Sequence, residues 1–204
     1  YADEDTQPNT DKTYYAVFAS LDGDAAGDYK KVTSELSDWS GEYLIVYETS
    51  ETTGVAFDGS GSTDDQIDKT NNNVSVTINN NTIQATEDLN NRTFIIEKMF
   101  PNDCSEFDYY DYYSIRTKGG AYIGRESDSG NGLDIYNTPY PHQIYWIEVD
   151  NLTNGKEETI IYSVINCVPS EAILLFNVRD DEKRFRYFNS FQEPIALYRK
   201  SSYT

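Results

Sequence analysis

One hairpin-forming pattern occurs three times along this chain, and this recurrence constrains the fold more than any other feature of the sequence. The three segments read YLIVYETSETTGVAFDGS from Tyr43, YSIRTKGGAYIGRES from Tyr113 and YSVINCVPSEAILLFNV from Tyr162. Each begins with Tyr and alternating apolar residues, turns through small or polar residues, and returns as a second apolar run. This order is typical of a β-hairpin, and its repetition indicates a fold built from three similar units.

A further apolar run follows each hairpin: RTFIIEK, IYWIEVD and PIALYRK, which align on Phe94, Trp146 and Ile195. The spacing from the leading tyrosine is equal in the second and third units. It is longer in the first unit because of an Asn- and Asp-rich insertion around 62–82. Shorter β-type runs fit between: VSVTI with TIQA, LDIYN, and RFRYF. Each unit therefore contains about four strands.

Three units of four strands predict an all-β fold, and in particular a β-trefoil. No stretch from Tyr29 onward shows a sustained helical period. In a trefoil, six strands form a short barrel and three hairpins cover one end, so that few strand edges stay open. The leading tyrosines, with Phe94, Trp146 and Ile195, would then form core layers. A two-sheet β-sandwich is the alternative, but it does not account for the threefold recurrence.

Residues 1–27 differ from the rest of the chain. YADEDTQPNTDK is polar and turn-rich, TYYAVFAS predicts one strand, and LDGDAAGD predicts a linker. We therefore divide the chain into an N-terminal strand and linker at 1–27, which would be the end of a preceding module, and a β-trefoil-like domain at 28–204. In the alternative, Tyr14–Ala19 pairs with an edge of the main domain.

The charge balance disfavours two classes of partner. The chain has 35 acidic and 16 basic residues and a net charge of −19, which disfavours nucleic acid and anionic lipid. No apolar run approaches the ~20 residues of a membrane span. The acidic, Gly-rich segments at 58–68 and 126–134 leave Ca²⁺ open as a cofactor, although neither has the ligand spacing of an EF-hand.

The sequence has two cysteines, Cys104 and Cys167, each near a proline in a predicted connection. They form either one disulfide or two buried thiols. The single histidine, His142, leaves little room for a zinc site.

Two stretches of the chain resemble known families. VTSELSDWSGEYLIVYE, VAFDGS, YSIRTKGGAYIGRESDSGNGLD and RFRYFNSFQEPIALYRK resemble the β-trefoil-like repeat module at the ends of large secreted or surface proteins of gut anaerobes. The resemblance covers about 29–200 and departs in the Tyr-rich segment 100–112 and at 151–161. NTDKTYYAVFA resembles the closing strand of internalin B-repeat-like β-grasp modules. Together they imply an extracellular or cell-surface bacterial protein with further modules in the same polypeptide.

The segment NDCSEFDYYDYY carries the first candidate ligand-binding residues: Tyr109, Tyr110, Asp111 and Tyr112. It is too polar to be buried as a whole, so some of its rings should be exposed. Aromatic rings stack on the C–H faces of sugars, while carboxylates accept bonds from hydroxyl groups. In the alternative, the segment covers the barrel mouth with its own tyrosines. Tyr113, which begins a strand, is predicted to be core.

Other aromatic residues extend the candidate set. Tyr136 and Tyr140 lie in the Pro-rich LDIYNTPYPHQ, and Trp39 lies in the polar turn LSDWSGEY. Trp39 is either an exposed stacking surface or a plug under the barrel. Arg184 and Arg186 share one face of RFRYF and would form local salt bridges or bind an acidic group.

These features predict a binding module and not an enzyme. The sequence contains no G-x-S-x-G, H-E-x-x-H or phosphate-binding loop. The expected function is that of a non-catalytic carbohydrate-binding module whose ligand is starch or another plant or host glycan. The alternative is a structural or protein-adhesion module of a large surface protein.

Overall fold

The computed structural model describes residues 27–59, 67–100, 111–125, 130–137, 145–150, 157–165 and 167–201. The predicted strand at 13–19 and the residues Cys104, Tyr109, Tyr110, Tyr140 and His142 lie outside this part of the chain. The described residues form an all-β fold, as predicted. Its strands are β1 (Tyr29–Lys31), β2 (Gly41–Glu48), β3 (Thr53–Phe57), β4 (Asn73–Thr77), β5 (Thr82–Ile83), β6 (Phe94–Met99), β7 (Tyr112–Thr117), β8 (Tyr122–Gly124), β9 (Asp134–Tyr136), β10 (Tyr145–Asp150), β11 (Glu158–Ile165), β12 (Val168–Asn177), β13 (Arg184–Phe188) and β14 (Ala196–Lys200).

The strands belong to one antiparallel sheet in which they follow the order β13–β12–β11–β10–β7–β6–β2–β14–β1–β5. Strands β3 and β4 branch from β2, and β8 and β9 branch from β7. Among the described residues, the strand ladders do not close the sheet on itself. Strand β11 and the residue that precedes β14 are instead joined by an isolated bridge between Thr159 and Ile195, which we call the seam.

The threefold recurrence of the sequence is visible in the strand pairing. The first long strand of a unit pairs with the last strand of the same unit at Tyr43–Phe94 and at Tyr113–Tyr145. The seam bridge occupies the corresponding place in the third unit. Each unit also contributes one antiparallel strand pair to the sheet: β3–β4, β8–β9 and β12–β13.

The main core lies on the inner face of the sheet, where side chains from all three units meet. Phe57 stacks on Phe94 with ring centroids 4.8 Å apart and on Phe185 at 5.1 Å. Tyr145 stacks on Tyr187 at 5.4 Å. These aromatic contacts join strands that are distant in sequence, so the three units are stabilised by packing against one another.

Four of the six predicted core positions are confirmed, and two are wrong. The main core contains the predicted residues Tyr43, Phe94, Tyr113 and Ile195. It also contains Tyr145, Ile147 and Ile161. Trp146 and Tyr162 are half-buried on the outer face. Because side chains alternate between the faces of a strand, the inward positions belong to the neighbours of these two residues.

A second core cluster lies under the insertion of the first unit. The segment between β5 and β6 contains the short helix α1 (Glu87–Asn90), where the Thr86 hydroxyl accepts a hydrogen bond from the Leu89 N–H at 3.2 Å. Leu89 packs into a cluster that includes Tyr29, whose hydroxyl donates to Asn90 Oδ1 at 2.6 Å. In the described part of the chain, no helix is long and apolar enough to cross a membrane.

Candidate functional site

A small, half-open cleft of about 100 Å³ lies at the seam. Its walls come from β1, β2, the start of β11 and the segment that leads into β14. Its lining combines an aromatic ring, one lysine, four glutamates and a short apolar stretch: Tyr47, Lys31, Glu48, Glu157, Glu158, Glu193, Pro194, Ile195 and Ala196. The cleft therefore offers both an apolar face and charged hydrogen-bonding groups.

Tyr47 is held in a fixed orientation at the end of β2. Its ring stacks on that of Phe176, with centroids 4.7 Å apart and ring planes inclined by 13°. Partial burial raises the pKa of the Tyr47 hydroxyl, and the negative charge of Glu193 raises it further. The phenol is therefore protonated at neutral pH and can donate a hydrogen bond.

The negative charge of Glu48 is compensated within the cleft by an ion pair. Its Oε2 lies 3.0 Å from Lys31 Nζ, and both side chains are mostly shielded from water. Its Oε1 accepts a hydrogen bond of 2.6 Å from the Tyr198 hydroxyl, whose pKa is raised by burial and by this carboxylate. Glu48 thus belongs to a local polar network that fixes one wall.

The other three glutamates flank the seam. Glu158 begins β11 and is nearly buried, and Glu157 precedes it. Glu193 is held by its backbone, whose N–H donates to Phe176 O at 3.0 Å and whose carbonyl accepts from the Phe176 N–H at 2.9 Å. The Thr159 N–H donates to Ile195 O at 2.8 Å, so the backbones carrying these carboxylates are close together.

The described residues of the Tyr-rich segment lie elsewhere. Tyr112 is 4% exposed, and its hydroxyl donates to Cys167 O at 2.9 Å, so its ring is not the stacking surface that was expected. Asp111 forms an ion pair of 2.8 Å with Lys98. Tyr113 is core, as predicted, and its hydroxyl accepts a hydrogen bond from the Trp39 N–H at 3.3 Å.

Trp39 is a plug and not a ligand surface. It is 1% exposed and packs into the main core. Its indole N–H donates to Glu35 Oε1 at 3.2 Å, while Glu35 Oε2 accepts from the Val149 N–H at 2.8 Å. One glutamate therefore joins the plug to β10.

The remaining predicted candidates are separate from the cleft in sequence and sheet position. Tyr136 is half-buried in β9 and is paired with Tyr122. Arg184 and Arg186 form salt bridges with Asp68 at 3.6 Å and 2.8 Å. The arginine pair thus has a local acidic partner, as one of the two sequence hypotheses expected.

A second aromatic feature lies on the outer face of the sheet. Trp146 and Tyr162 are cross-strand partners with ring centroids 5.1 Å apart, and the Tyr162 hydroxyl donates to Glu148 Oε1 at 3.0 Å. Burial and, to a smaller extent, the hydrogen bond to Glu148 and its negative charge raise the pKa of Tyr162 to about 12. Trp146 packs in a small cluster with Met99, Tyr112, Val164 and Cys167, which we call the outer patch.

Cys167 is disulfide-bonded, and Cys104 is the only other cysteine in the sequence. The disulfide alternative is therefore the correct one. Among the described residues, no group of three or more His, Cys, Asp or Glu side chains is arranged to hold a metal ion. The predicted calcium segment at 126–134 is described only from residue 130 onward.

The cleft was not predicted from the sequence, although one signal was present. Tyr43, Ile45 and Tyr47 are alternate residues of β2, and alternate side chains of a strand point to the same face. Because Tyr43 and Ile45 are buried, Tyr47 also points inward. It lies one residue before the end of the strand, where the inner face meets solvent, and Glu48 follows it. An inward-facing tyrosine followed by a glutamate at the end of a strand is therefore the sequence pattern that indicates this side of the cleft.

Comparisons with known proteins add no family assignment. No protein-family model matches the chain, and no curated protein is detectably similar to it in sequence.

Proposed function

We propose that this chain is a non-catalytic carbohydrate-binding module of a bacterial secreted or cell-surface protein. The observation that carries the proposal is the seam cleft, in which the fixed ring of Tyr47 lies beside carboxylates and a lysine. Aromatic stacking on sugar C–H groups together with charged acceptors for hydroxyls is the chemistry that glycan recognition requires. An extracellular setting is supported by the acidic composition and by the disulfide at Cys167.

A cleft with one aromatic wall supports weak binding. We expect dissociation constants between millimolar and micromolar, or about −4 to −8 kcal/mol. Such affinities are sufficient for a module that acts with other modules of the same polypeptide, because linkage raises the effective concentration.

Affinity electrophoresis tests the proposal. Gels would contain starch or other plant and host polysaccharides, and we expect at least one of them to retard the wild-type protein. Tyr47→Ala should abolish the retardation. Tyr162→Ala is the matched control, because Tyr162 is also a half-buried tyrosine stacked on an aromatic ring, but on the outer patch side of β10 and β11. Migration unchanged by every polysaccharide would overturn the proposal.

We also infer that the fold is a β-trefoil. Six strands follow one another in the order β11–β10–β7–β6–β2–β14, and the seam bridge connects the two ends of this series. The Leu197 N–H donates to Thr159 Oγ1 at 3.1 Å, which adds a second contact across the seam. A crystal structure with a continuous ladder between β11 and β14 would support the inference, whereas two separate packed sheets would contradict it.

Protein adhesion is the second candidate function, and the outer patch favours it. Phe100, which follows the patch residue Met99, is 82% exposed, and Val168, which follows Cys167, is 44% exposed. Exposed apolar side chains beside an aromatic pair are typical of protein-binding surfaces. A partner protein that is recovered without glycan, and lost in Phe100→Ser but not in Tyr47→Ala, would favour this function over glycan binding.

A further inference from the structure

The seam cleft is too small to hold a polysaccharide by itself. Its volume of about 100 Å³ is well below the roughly 300 Å³ at which clefts begin to enclose a small-molecule ligand. A glycan bound there must therefore also contact the surface at the rim of the cleft. We infer that the binding site extends onto Phe191 and Val178, so that the module binds a linear run of several sugar units and not a single terminal sugar. This inference rests on the proposed function, because it concerns the same ligand and begins at the same cleft.

Large apolar side chains are exposed at two places in the part of the chain that the structure describes. Phe100 and Val168 flank the outer patch. Val178 and Phe191 lie in the third unit, where Phe191 is 66% exposed and Val178 is 43% exposed. Because water contact with such side chains is unfavourable, two of them at one place on an acidic surface are typical of a contact site.

The backbone places Val178 and Phe191 beside each other and beside the cleft. Phe176 and Glu193 exchange two backbone hydrogen bonds, of 2.9 and 3.0 Å, and the two segments are antiparallel at this bridge. Val178 and Phe191 each lie two residues further along, in the same direction, and no turn interrupts either step. Phe191 is therefore opposite Val178 in the continued register and about 7 Å from Glu193 along its own segment.

The exposed pair continues the aromatic wall of the cleft outward. Alternate side chains of an extended segment point to the same side, so Phe191 shares a side with Glu193, which lines the cleft. On the facing segment, the ring of Phe176 covers one face of Tyr47. Tyr47, Glu193 and Phe191 therefore follow one another from the cleft wall to the open surface.

A linear oligosaccharide suits this arrangement. The C–H faces of its sugar units stack on aromatic rings, and its hydroxyl groups donate to carboxylate oxygens. One unit contacts Tyr47 and Glu193, and a unit further along the ligand contacts Phe191 and Val178. A single sugar does not reach from Tyr47 to Phe191, so the contribution of Phe191 is present only in longer ligands.

Calorimetric titration with oligosaccharides of increasing length tests the inference. The probes run from the disaccharide to the octasaccharide of a polysaccharide that retards the wild-type protein, and for starch they are malto-oligosaccharides. We expect the affinity to rise with length and to become constant once the ligand reaches Phe191. Phe191→Ala should lower the affinity for the octasaccharide about fivefold, the effect of one aromatic contact. It should leave the affinity for the shortest oligosaccharide that binds unchanged.

Two further variants control for other effects of the substitution. Phe100→Ala is the matched control, because Phe100 is also an exposed phenylalanine, at 82%, but lies beside the outer patch. It should bind every oligosaccharide as the wild type does. Phe191→Trp keeps an aromatic ring and should retain the dependence on length. Thermal unfolding of each variant should be close to that of the wild type, since both phenylalanines are mostly exposed.

The outcomes separate this inference from the proposed function. An affinity that does not rise with length, or that Phe191→Ala leaves unchanged for every oligosaccharide, overturns the extended site and leaves glycan binding at the cleft in place. An equal loss at every length also overturns it, as does an equal loss in Phe100→Ala. A wild-type dimer that Phe191→Ala dissociates in size-exclusion chromatography, with oligosaccharide binding unchanged, assigns the pair to self-association instead. If the wild type binds no glycan, the proposed function fails and the inference fails with it.

Discussion

The rings of Tyr47 and Phe176 stack face to face, with centroids 4.7 Å apart and planes inclined by 13°. Tyr47 is the penultimate residue of β2 in the first unit, and Phe176 is the penultimate residue of β12 in the third. Glu193 is joined to Phe176 by two backbone hydrogen bonds. The aromatic wall of the cleft and one of its carboxylates therefore depend on the same phenylalanine.

This dependence predicts that Phe176→Leu lowers glycan affinity without any contact to the ligand. The smaller side chain leaves Tyr47 without its stacking partner, so more ring orientations become accessible and binding requires additional ordering. Phe94→Leu is the control, since Phe94 is another fully buried ring and stacks on Phe57 in the first unit. Both variants should lose stability, but only Phe176→Leu should weaken retardation in polysaccharide gels. Equal loss of binding would mean that the effect is a general loosening of the core.

Tyr113→Ala should destabilise the fold by about 3–5 kcal/mol, because it opens a cavity in a core where the side chain is almost fully buried. Tyr113→Phe should cost less, about 1–3 kcal/mol, since it keeps the ring and leaves the buried backbone N–H of Trp39 without its acceptor. Urea denaturation of the two variants measures both values. A Tyr113→Ala variant of unchanged stability would show that the ring is not part of the core.

Removal of the disulfide should destabilise the protein by about 2–4 kcal/mol, because the bond restricts the unfolded chain. Cys167→Ser tests this, and Cys104→Ser should give the same loss since each variant removes the same bond. The double variant should be no less stable than either single variant. A clearly larger loss in the double variant would contradict the pairing of these two cysteines.

The carboxyl group of Asp68 is expected to give the stability of the fold an unusual dependence on pH. Burial raises the pKa of its carboxyl group, and this effect outweighs the lowering by Arg186 and Arg184. Since the folded protein holds this proton more tightly than the unfolded chain, the contribution of Asp68 to stability rises as the pH falls through the folded pKa and stays constant below the unfolded pKa.

Comparison with Asp68→Asn isolates this contribution from that of the other carboxyl groups. The stability of the wild type relative to Asp68→Asn should increase between pH 7 and pH 4, as measured by urea denaturation at each pH. A constant or decreasing difference would show that the ion pairs with the arginines dominate.

The all-β class was accessible from the sequence because hydrophobic alternation and turn residues are local signals. Phe94 and Ile195 were placed correctly in the core on this basis. Trp146 was not, because the alignment of IYWIEVD with its counterparts was displaced by one residue, and a shift of one residue moves a side chain to the other face of a strand. Aromatic character did not reveal the error, since tryptophan and tyrosine occur on both faces.

The cleft could not be predicted from such local signals, because the residues that line it are distant in sequence. Lys31, Tyr47, Glu158 and Glu193 meet only where the first and third units come together at the seam. The sequence predicted instead that the densest aromatic segment would bind the ligand; within its described part, the Tyr112 hydroxyl is hydrogen-bonded to the backbone at Cys167. Local density of tyrosine does not distinguish packing from binding.

Gly54 offers a test of how the backbone positions Tyr47. A Cβ atom at this glycine would lie 2.7 Å from the carbonyl oxygen of Tyr47 and 3.1 Å from Val46 Cγ1. Glu48 and Gly54 are partners in the β2–β3 ladder, so the Tyr47 carbonyl cannot move away without distorting that pairing. Gly54→Ala should therefore cost about 1–3 kcal/mol and should displace Tyr47 within the cleft.

Gly120→Ala is the matched control for this prediction. Gly120 has a φ of +94°, and an added Cβ atom would meet nothing within 4 Å, so alanine there introduces backbone strain of about 1–3 kcal/mol without a steric clash. The two variants should lose similar stability, but only Gly54→Ala should also weaken glycan binding. If Gly54→Ala binds polysaccharide as well as Gly120→Ala does, the position of Tyr47 does not determine binding, and the ligand must be held by other residues.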